Sequence, residues 1–245
     1  MGGLVKMEFR KLMQGKSLYV CLGIVALLIG LPIVVYAADA VENIPSLAGY
    51  LFISSFSEGG IDMLLPILIA LLICGDFSSG SIRLIVGRGY SRTKVYCAKF
   101  IITISATLFF ALFSWCISAV LIFAFFQYAV TLSGRILLIL ADQVLAMTLI
   151  GSISFFVAML SRRSSIAVAV SLVLPLIGTI FVSLIDTLHK IDNFRLTDYW
   201  VWTFLAELST ETVENEAMLR CALVSIIFIA VIFGAGLLRF RRSDV

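Results

Sequence analysis

The sequence predicts an all-α integral membrane protein with six transmembrane helices. Of its 245 residues, 61% are hydrophobic and 13% are charged, whereas soluble domains average about 45–50% apolar and about 25% charged residues. The mean hydropathy of the chain is +1.11. The apolar residues gather into six runs, each close to the roughly 20 residues that a helix needs to cross the hydrocarbon core. We therefore expect a single transmembrane domain over residues 1–245.

The six apolar runs are predicted to be helices, because barrel strands alternate in polarity over about ten residues and only helices or closed barrels satisfy the backbone in lipid. The runs cover residues 18–38, 56–77, 100–128, 136–160, 166–185 and 217–240. Pro66 and Pro175 predict kinks in the second and fifth spans. Ala38-Asp39-Ala40 imitates a signal-peptide cleavage site, but the preceding apolar core exceeds the usual length of about 7–15 residues, which favours a retained span.

Basic residues mark one side of the predicted bundle. They are concentrated before span one, between spans two and three, between spans four and five, and after span six, and these four segments hold 14 of the 18 lysines and arginines. The positive-inside rule places such segments in the cytoplasm. We therefore expect cytoplasmic N- and C-termini, and an extracytoplasmic, acidic connection over residues 186–216.

The N-terminal segment, residues 1–17, predicts an amphipathic helix that lies in the inner membrane interface. Its apolar face is formed by residues spaced i, i+4, i+7 and i+8, namely Val5, Phe9, Leu12 and Met13. Arg10, Lys6, Lys11 and Gln14 are predicted to lie away from that face. A plain basic flank that only fixes topology is the alternative interpretation.

The connection between spans two and three, residues 78–99, is basic but contains a small apolar patch. Ser78 and Ser79 are candidate helix N-caps, and Ile82, Ile85 and Val86 then share one short helical face. Gly87 and Gly89 are expected to end this helix, and Ser91 to cap the next one. A basic helix with an apolar face is suited to a groove on a soluble partner. A basic loop that only fixes topology is the alternative.

This segment resembles the signature of type 2 ABC exporter permeases. The residues that carry the resemblance are Asp76, Gly80-Ser81, Arg83, Ser91-Arg92, Tyr96 and Lys99. The family pattern has Glu, Thr and a Pro-containing turn where this chain has Asp76, Ser81 and Gly89-Tyr90. The six spans, the cytoplasmic termini and the basic N-terminal segment fit the same family over the whole chain.

The resemblance implies a fold, partners and site residues. The segment would be a coupling helix that receives force from an ATPase subunit through Ser81, Ile82, Arg83, Ile85, Val86 and Arg88. The N-terminal helix would be the elbow helix, with Val5, Phe9, Arg10, Leu12 and Met13. The permease would form a homodimer, or a heterodimer with a related permease, in a bacterial plasma membrane. Two ATPase copies would hold ATP and magnesium, with no cofactor in this chain and no nucleic-acid partner.

The cargo is expected to be amphipathic or hydrophobic. Small relatives in this family often export amphipathic peptides, lantibiotic-like peptides or hydrophobic antibiotics, and some family members export lipid-linked glycans. We favour a peptide toxin, bacteriocin or antibiotic. A stand-alone carrier, or an immunity or scaffold protein without an ATPase, is the alternative function. Only the exporter requires a docking helix on its inner surface.

Other chemistry finds little support in the sequence. Gly15-Lys16-Ser17 imitates the end of a phosphate-binding loop, but Arg10 stands where that motif needs glycine. We therefore expect no ATP binding or enzymatic activity in this chain. The five cysteines show no metal-ligand or disulfide spacing. The single histidine, His189, lies in the acidic connection, so a catalytic dyad inside the spans is not expected.

Asp142 is the one clear ionisable residue inside a predicted span. It lies six residues into the fourth run, or roughly 9 Å deep at about 1.5 Å per residue. A carboxylate there is costly and should face protein or water. Two interpretations remain open: a residue of the cargo path, or a structural hydrogen bond to Gln143, Ser152 or another span.

The acidic connection contains an aromatic stretch that is too short to span a membrane. Helical spacing places Val201, Phe204, Leu205 and Leu208 on one face, with Trp202 nearby. Tryptophan favours the membrane–water boundary. Exporters of the family commonly carry re-entrant helices between their last two spans. We expect an outer helix that caps the exit through Trp202, Phe204 and Leu205; an ordinary surface anchor is the alternative.

Overall fold

The computed structural model describes residues 2–38, 44–57, 60–188, 195–209 and 213–242. Over these residues every regular element is helical. The helices are α1 (Gly2–Gln14), α2 (Lys16–Ala38), α3 (Ile44–Ser57), α4 (Ile61–Ser78), α5 (Ser81–Gly87), α6 (Arg92–Phe126), α7 (Gly134–Ser161), α8 (Ser164–Leu188), α9 (Val201–Glu207) and α10 (Asn215–Arg242), with a 3₁₀ turn at Leu196–Tyr199.

Within the described part of the chain, six helical segments are long and apolar enough to cross a membrane, as predicted. They are Lys16–Ala38, Ser46–Ser78, Arg92–Phe126, Gly134–Ser161, Ser164–Leu188 and Asn215–Arg241. Pro66 and Pro175 lie inside α4 and α8, and neither helix ends there. The chain is therefore an all-helical, multi-pass membrane protein.

The second span begins earlier than predicted. The expected run starts at Phe56, but the apolar segment starts at Ser46 and combines α3 with α4. The serines of α3 lower its hydropathy in the sequence. In the structure Ser54, Ser55 and Ser57 are buried. Two of their hydroxyls bond to carbonyls of the same helix: Ser55 Oγ donates to Phe52 O at 2.7 Å and Ser57 Oγ to Ser54 O at 3.2 Å. A serine satisfied in this way fits an apolar helix.

α7 is the central helix of the bundle. It packs against α4, α6, α8 and α10. Gly151 on α7 permits this packing, because a Cβ added there would lie 3.1 Å from Ile69 Cδ1 of α4 and 3.4 Å from Thr103 Cγ2 of α6. α8, in contrast, exposes Leu176, Ile180 and Phe181. Such apolar exposure is expected of a helix that faces lipid.

The two ends of the bundle differ in charge. The basic end holds α1, α5, the starts of α2, α6 and α8, and the ends of α4, α7 and α10. Contacts across it include the Arg162 guanidinium, 5.6 Å from the centre of the Phe77 ring, and Tyr96 Oη, which donates to Phe233 O at 3.3 Å. The opposite, acidic end holds α3, α9 and the acidic connection. There Ser57 Oγ and Ser209 Oγ are 2.7 Å apart.

The acidic connection folds back onto the bundle. Asp186 at the end of α8 accepts hydrogen bonds from the Leu196 and Thr197 backbone N–H groups, both at 2.8 Å. Trp200 Nε1 donates to Thr179 Oγ1 at 3.0 Å, and its ring covers Gly178 so closely that a Cβ would be 2.1 Å from Trp200 Cζ2. Three residues named in the sequence predictions lie outside the described residues: Asp39, Ala40 and His189.

Candidate functional site at the basic end

α5 forms where the short amphipathic helix is predicted. Its N-cap is Gly80, with a φ of 68°, so the proposed caps Ser78 and Ser79 are wrong. Both serines still belong to the end of α4: Ser78 Oγ donates to Gly75 O at 3.0 Å, and the Ser79 N–H also donates to Gly75 O at 3.0 Å. The other predicted boundaries are confirmed. α5 ends at Gly87, and Ser91 Oγ caps α6 by accepting from the Lys94 N–H at 3.4 Å.

The apolar face of α5 points into this chain. Ile82 is 1% exposed and Ile85 is 7% exposed, whereas Leu84 on the opposite side is 65% exposed. α5 packs against α4 and α6. Of the other predicted coupling residues, Arg83 and Arg88 are exposed and Ser81 and Val86 are half-buried. The isoleucines therefore hold α5 to the bundle, and the surface open to a partner is formed by Arg83, Leu84 and Arg88.

Asp76 is the centre of an interhelical charge cluster. It lies two residues before the end of α4, and its carboxylate accepts from three side chains on three other helices. Lys11 Nζ of α1 is 2.9 Å from Oδ1, Ser81 Oγ of α5 donates to Oδ1 at 2.9 Å, and Lys99 Nζ of α6 donates to Oδ2. A single carboxylate thus joins four helices.

Glu8 completes this charge cluster. Its Oε2 is 3.5 Å from Lys99 Nζ, and its Oε1 is 3.4 Å from Lys11 Nζ. The Lys99 side chain is 1% exposed and the Glu8 side chain 6% exposed. The cluster formed by Glu8, Lys11, Asp76 and Lys99 contains two acids and two bases, so its formal charge is zero. Buried charges are tolerated when they are paired in this way, and removing one partner is strongly destabilising.

Lys11 is the most exposed member of the charge cluster, with 37% of its side chain accessible. Burial alone lowers the pKa of its ammonium group, but the hydrogen bond and the charge of Asp76, with a smaller contribution from Glu8, outweigh burial and raise that pKa above 10.5. Lys11 is therefore positively charged throughout the physiological pH range.

The N-terminal helix is present as α1, and its buried face matches the predicted one only in part: Leu12 is buried as predicted, whereas Phe9 is exposed. Leu4, Glu8 and Leu12 are buried, whereas Phe9 is 44% exposed and Arg10 is exposed. Val5 and Met13 are partly buried against the core. Lys11, expected to lie away from the buried face, contacts Asp76. The face is rotated from the predicted one because Glu8 and Lys11 meet the charges of α4 and α6.

Asp142 lies in α7 at the acidic end and is 9% exposed. Among the described residues its carboxylate makes no hydrogen bond or ion pair. The partners suggested for it bond elsewhere: Gln143 Nε2 donates to Ile53 O and to Leu208 O, both at 3.0 Å, and Ser152 Oγ donates to Thr148 O at 2.7 Å. Gln143 thereby ties α7 to α3 and to the end of α9, and Asp142 takes no part in that connection.

α9 has the buried face that the sequence predicts. Val201, Phe204, Leu205 and Leu208 are each at most 4% exposed, and Trp202 is half-buried. The helix packs against α7, α8 and α10. The predicted cap residues therefore form part of the packed acidic end and do not lie on a free surface.

Only part of the charge cluster could be predicted from the sequence. Asp76 and Lys99 stood out through the family signature, but Glu8 did not. The available signal was the spacing of Glu8 and Lys11, which lie three residues apart and share one side of a helix. Among the described residues, no group of three His, Cys, Asp or Glu side chains is arranged to hold a metal ion.

The chain belongs to a protein family whose model, described as "Protein of unknown function (DUF2705)", matches residues 18–245. The matched range contains Asp76, Ser81 and Lys99, but not Glu8 or Lys11. A search of the curated proteins found no match.

Proposed function

We propose that this member of the family is the transmembrane subunit of an ATP-driven ABC exporter. The observation that carries the proposal is the charge cluster, which connects the short helix α5 to the ends of two spans. Ser81 at the start of α5 donates to Asp76 of α4, and Asp76 is paired with Lys99 of α6. A displacement of α5 is transmitted directly to both spans.

α5 is the coupling helix in this proposal. Its buried isoleucines, Ile82 and Ile85, hold it to the bundle, and its exposed surface carries Arg83, Leu84 and Arg88. Two guanidinium groups beside an exposed leucine suit an apolar groove with an acidic rim on an ATPase subunit. The concentration of basic residues favours a cytoplasmic location for this end, where ATP is available.

α1 is the elbow helix. The charge cluster ties it to α4 and α6, and it exposes Phe9 and Arg10. An exposed aromatic ring beside a basic side chain suits the inner membrane interface. α1 then lies at the level of the headgroups and moves together with α5.

The cargo is an amphipathic or hydrophobic compound, and a toxin, bacteriocin or antibiotic peptide fits best. Asp142 is a buried carboxylate without a partner among the described residues, which suits a path for cationic groups. α9, with Trp202, Phe204 and Leu205, caps the exit as an outer re-entrant helix. The permease works as a homodimer or heterodimer in the bacterial plasma membrane, with ATP and magnesium on its two ATPase subunits.

The test is purification of the tagged chain from native membranes in a mild detergent. We expect an ATPase subunit with a phosphate-binding loop to co-purify, identified by mass spectrometry, together with magnesium-dependent ATP hydrolysis. The Arg83→Glu/Arg88→Glu variant should retain at least about tenfold less of this subunit, because both changes reverse charge on the exposed face of α5.

Arg163→Glu/Arg241→Glu is the matched control. It reverses two exposed charges at the same end but away from α5, and should keep the subunit. Absence of an ATPase from the wild-type preparation would contradict the exporter and support the stand-alone protein. Equal retention by the α5 variant and the control would contradict docking through α5.

A further inference from the structure

A small cavity lies inside the charge cluster. Its volume is about 40 Å³, and all four charged side chains of the cluster line it: Glu8, Lys11, Asp76 and Lys99. The rest of the wall is apolar and comes from two spanning helices, through Leu72 and Ile73 of α4 and Ile102 of α6. The cavity therefore has one strongly polar side, and it lies next to the partly exposed ammonium group of Lys11.

The Lys99 ammonium group has hydrogen-bonding capacity that this chain does not use. An ammonium group carries three N–H donors. Among the described residues, one of them donates to Asp76 Oδ2, and the nearest other acceptor is Glu8 Oε2 in an ion pair at 3.5 Å. The Lys99 side chain is only 1% exposed, so bulk water does not cover the remaining donors. A buried donor without an acceptor is costly, and a partner for it is expected.

The Glu8 carboxylate is held more loosely than that of Asp76. Glu8 Oε1 is 3.4 Å from Lys11 Nζ, and Glu8 Oε2 is 3.5 Å from Lys99 Nζ. Asp76 Oδ1, in contrast, is 2.9 Å from both Lys11 Nζ and Ser81 Oγ. Charge-assisted N–H···O bonds usually measure about 2.7–2.9 Å. The oxygens of Glu8, which is 6% exposed, therefore keep acceptor capacity that the two lysines do not fill.

Size and charge decide which ligand suits this cavity. A molecule of liquid water occupies about 30 Å³, so a cavity of about 40 Å³ admits one water molecule and not two. The charge cluster has no net charge. An anion would lie against two carboxylates and a cation against two ammonium groups, so the burial of either ion would not be compensated. The cavity therefore suits a single small, neutral molecule that both donates and accepts hydrogen bonds.

We infer that the cavity binds one water molecule, which accepts a hydrogen bond from Lys99 Nζ and donates one to the Glu8 carboxylate. Buried waters typically make about three hydrogen bonds to polar groups that otherwise lack partners. Lys11 or Asp76, which also line the cavity, supplies the third.

The bound water changes how α1 is attached to the bundle. α5 is joined to α4 by the direct bond from Ser81 to Asp76, whereas α1 is joined to α6 through water between Glu8 and Lys99. A water-mediated contact rearranges without leaving either charge unpaired, so α1 can shift against α6 while the charge cluster stays intact. The inference concerns this chain alone and does not depend on an ATPase partner.

The first test is a crystal structure of the chain grown in a lipidic mesophase, at a resolution that shows ordered water. We expect a density peak at hydrogen-bonding distance, about 2.7–3.2 Å, from both Lys99 Nζ and a Glu8 oxygen. Crystals soaked in bromide or in rubidium should show no anomalous peak at this position. An anomalous peak would assign the cavity to an ion. A cavity without density between well-ordered side chains would show that it is dry. Either result would overturn the inference.

The second test is X-ray radical footprinting of the chain in lipid nanodiscs. Hydroxyl radicals form from water next to a side chain and modify it even where bulk solvent does not reach. Ile73, at 3% exposed, should be modified at least about fivefold faster than Ile69, which lies one turn earlier in α4 and is 1% exposed. Equal rates of modification would contradict a bound water.

Leu72→Phe places a ring in the cavity wall and should displace the water, because a phenyl group cannot reproduce its hydrogen bonds. Modification of Ile73 should fall to the Ile69 rate, and the amides of α1 should exchange with deuterium at least about threefold faster. Leu71→Phe is the matched control, since it adds the same ring at a neighbouring position that is 40% exposed and lies outside the cavity. It should leave both measurements at their wild-type values.

Unchanged modification of Ile73 in Leu72→Phe, or the same loss in Leu71→Phe, would overturn the inference. The crystal structure and the comparison of Ile73 with Ile69 use the wild-type chain, so they decide the matter even if Leu72→Phe does not fold.

Discussion

Asp76 and Asp142 are two poorly accessible carboxylates on spanning helices of one chain, and their surroundings are opposite. Asp76 contacts two lysines and a serine and belongs to a cluster with no net charge. Asp142 is 9% exposed and has no hydrogen-bond or ion-pair partner among the described residues. The Asp76 carboxylate connects four helices through its side-chain contacts. The Asp142 carboxylate takes no part in the hydrogen bonds that connect α7 to its neighbours.

The difference separates two uses of charge in a membrane protein. A buried charge with complete pairing fixes the relative positions of the helices that supply its partners. A buried charge without a partner is costly to keep, and such residues mark pathways for ions, protons or polar cargo. The basic end is thus held together by paired charges, whereas the acidic end contains a carboxylate without a partner among the described residues.

The largest expected effect is that of Lys99→Met. This change leaves Asp76 and Glu8 buried with only Lys11 as a positive partner, which should lower the free energy of unfolding by about 3–5 kcal/mol. The measurement is equilibrium unfolding in mixed detergent micelles. Lys94→Met, which removes an exposed lysine from the same helix, is the control and should change stability by less than about 0.5 kcal/mol.

Adding Asp76→Asn to Lys99→Met should restore part of the lost stability, because the carboxylate is no longer left charged. If the stability losses of the Asp76→Asn and Lys99→Met variants simply add in the double variant, the two residues are not energetically coupled. That result would contradict a charge cluster that connects the helices.

Lys11→Met should have a smaller effect, at most about 1 kcal/mol, because the lysine is partly solvated. The pKa of Lys11 is raised in the folded state, so its contribution is fully present below pH 10.5 and is lost only as the pH rises through the higher, folded value. The difference in unfolding free energy between wild type and variant should therefore be constant from pH 6 to about pH 9. A difference that vanishes on acidification from pH 8 to pH 6 would show that a carboxylate titrates instead.

Asp142→Asn should have the smallest effect on stability, within about 0.5 kcal/mol, because no contact is lost and a buried charge is removed. Its effect should appear in transport: ATP-driven uptake of a fluorescent cationic amphipathic peptide into inside-out vesicles should fall. A loss of stability comparable to that of Lys99→Met would make Asp142 structural and remove the contrast with Asp76.

The spans were predictable because the membrane imposes their length and composition. The start of the second span was not, because hydropathy counts Ser54, Ser55 and Ser57 as polar. In the structure the hydroxyls of Ser55 and Ser57 bond to carbonyls of α3. A scale that treats each residue alone cannot represent a polar group satisfied by its own helix.

The faces of the two short helices at the basic end were harder to predict. Periodicity identified Ile82 and Ile85 as a face, but it does not say whether this chain or a partner covers that face. In α1 the spacing of apolar residues predicted that Phe9 lies on the buried face, whereas in the structure Glu8 is buried and Phe9 is exposed. The partners that bury Glu8 and Lys11 lie 65 or more residues away in the chain. By contrast, the apolar face at α9 was predicted correctly, since Val201, Phe204, Leu205 and Leu208 are all buried.

The positions of the charge cluster along the chain set an order of events during synthesis. Glu8 and Lys11 are made first and Asp76 follows, but the cluster is neutral only when Lys99 has been added. At about 5–20 residues per second, the ribosome takes roughly one to five seconds to pass from Asp76 to Lys99. During that interval the nascent chain carries one more acid than base among these residues. The first two spans are therefore inserted before the charge cluster is complete. The cluster connects them to the third span only after Lys99 has been added.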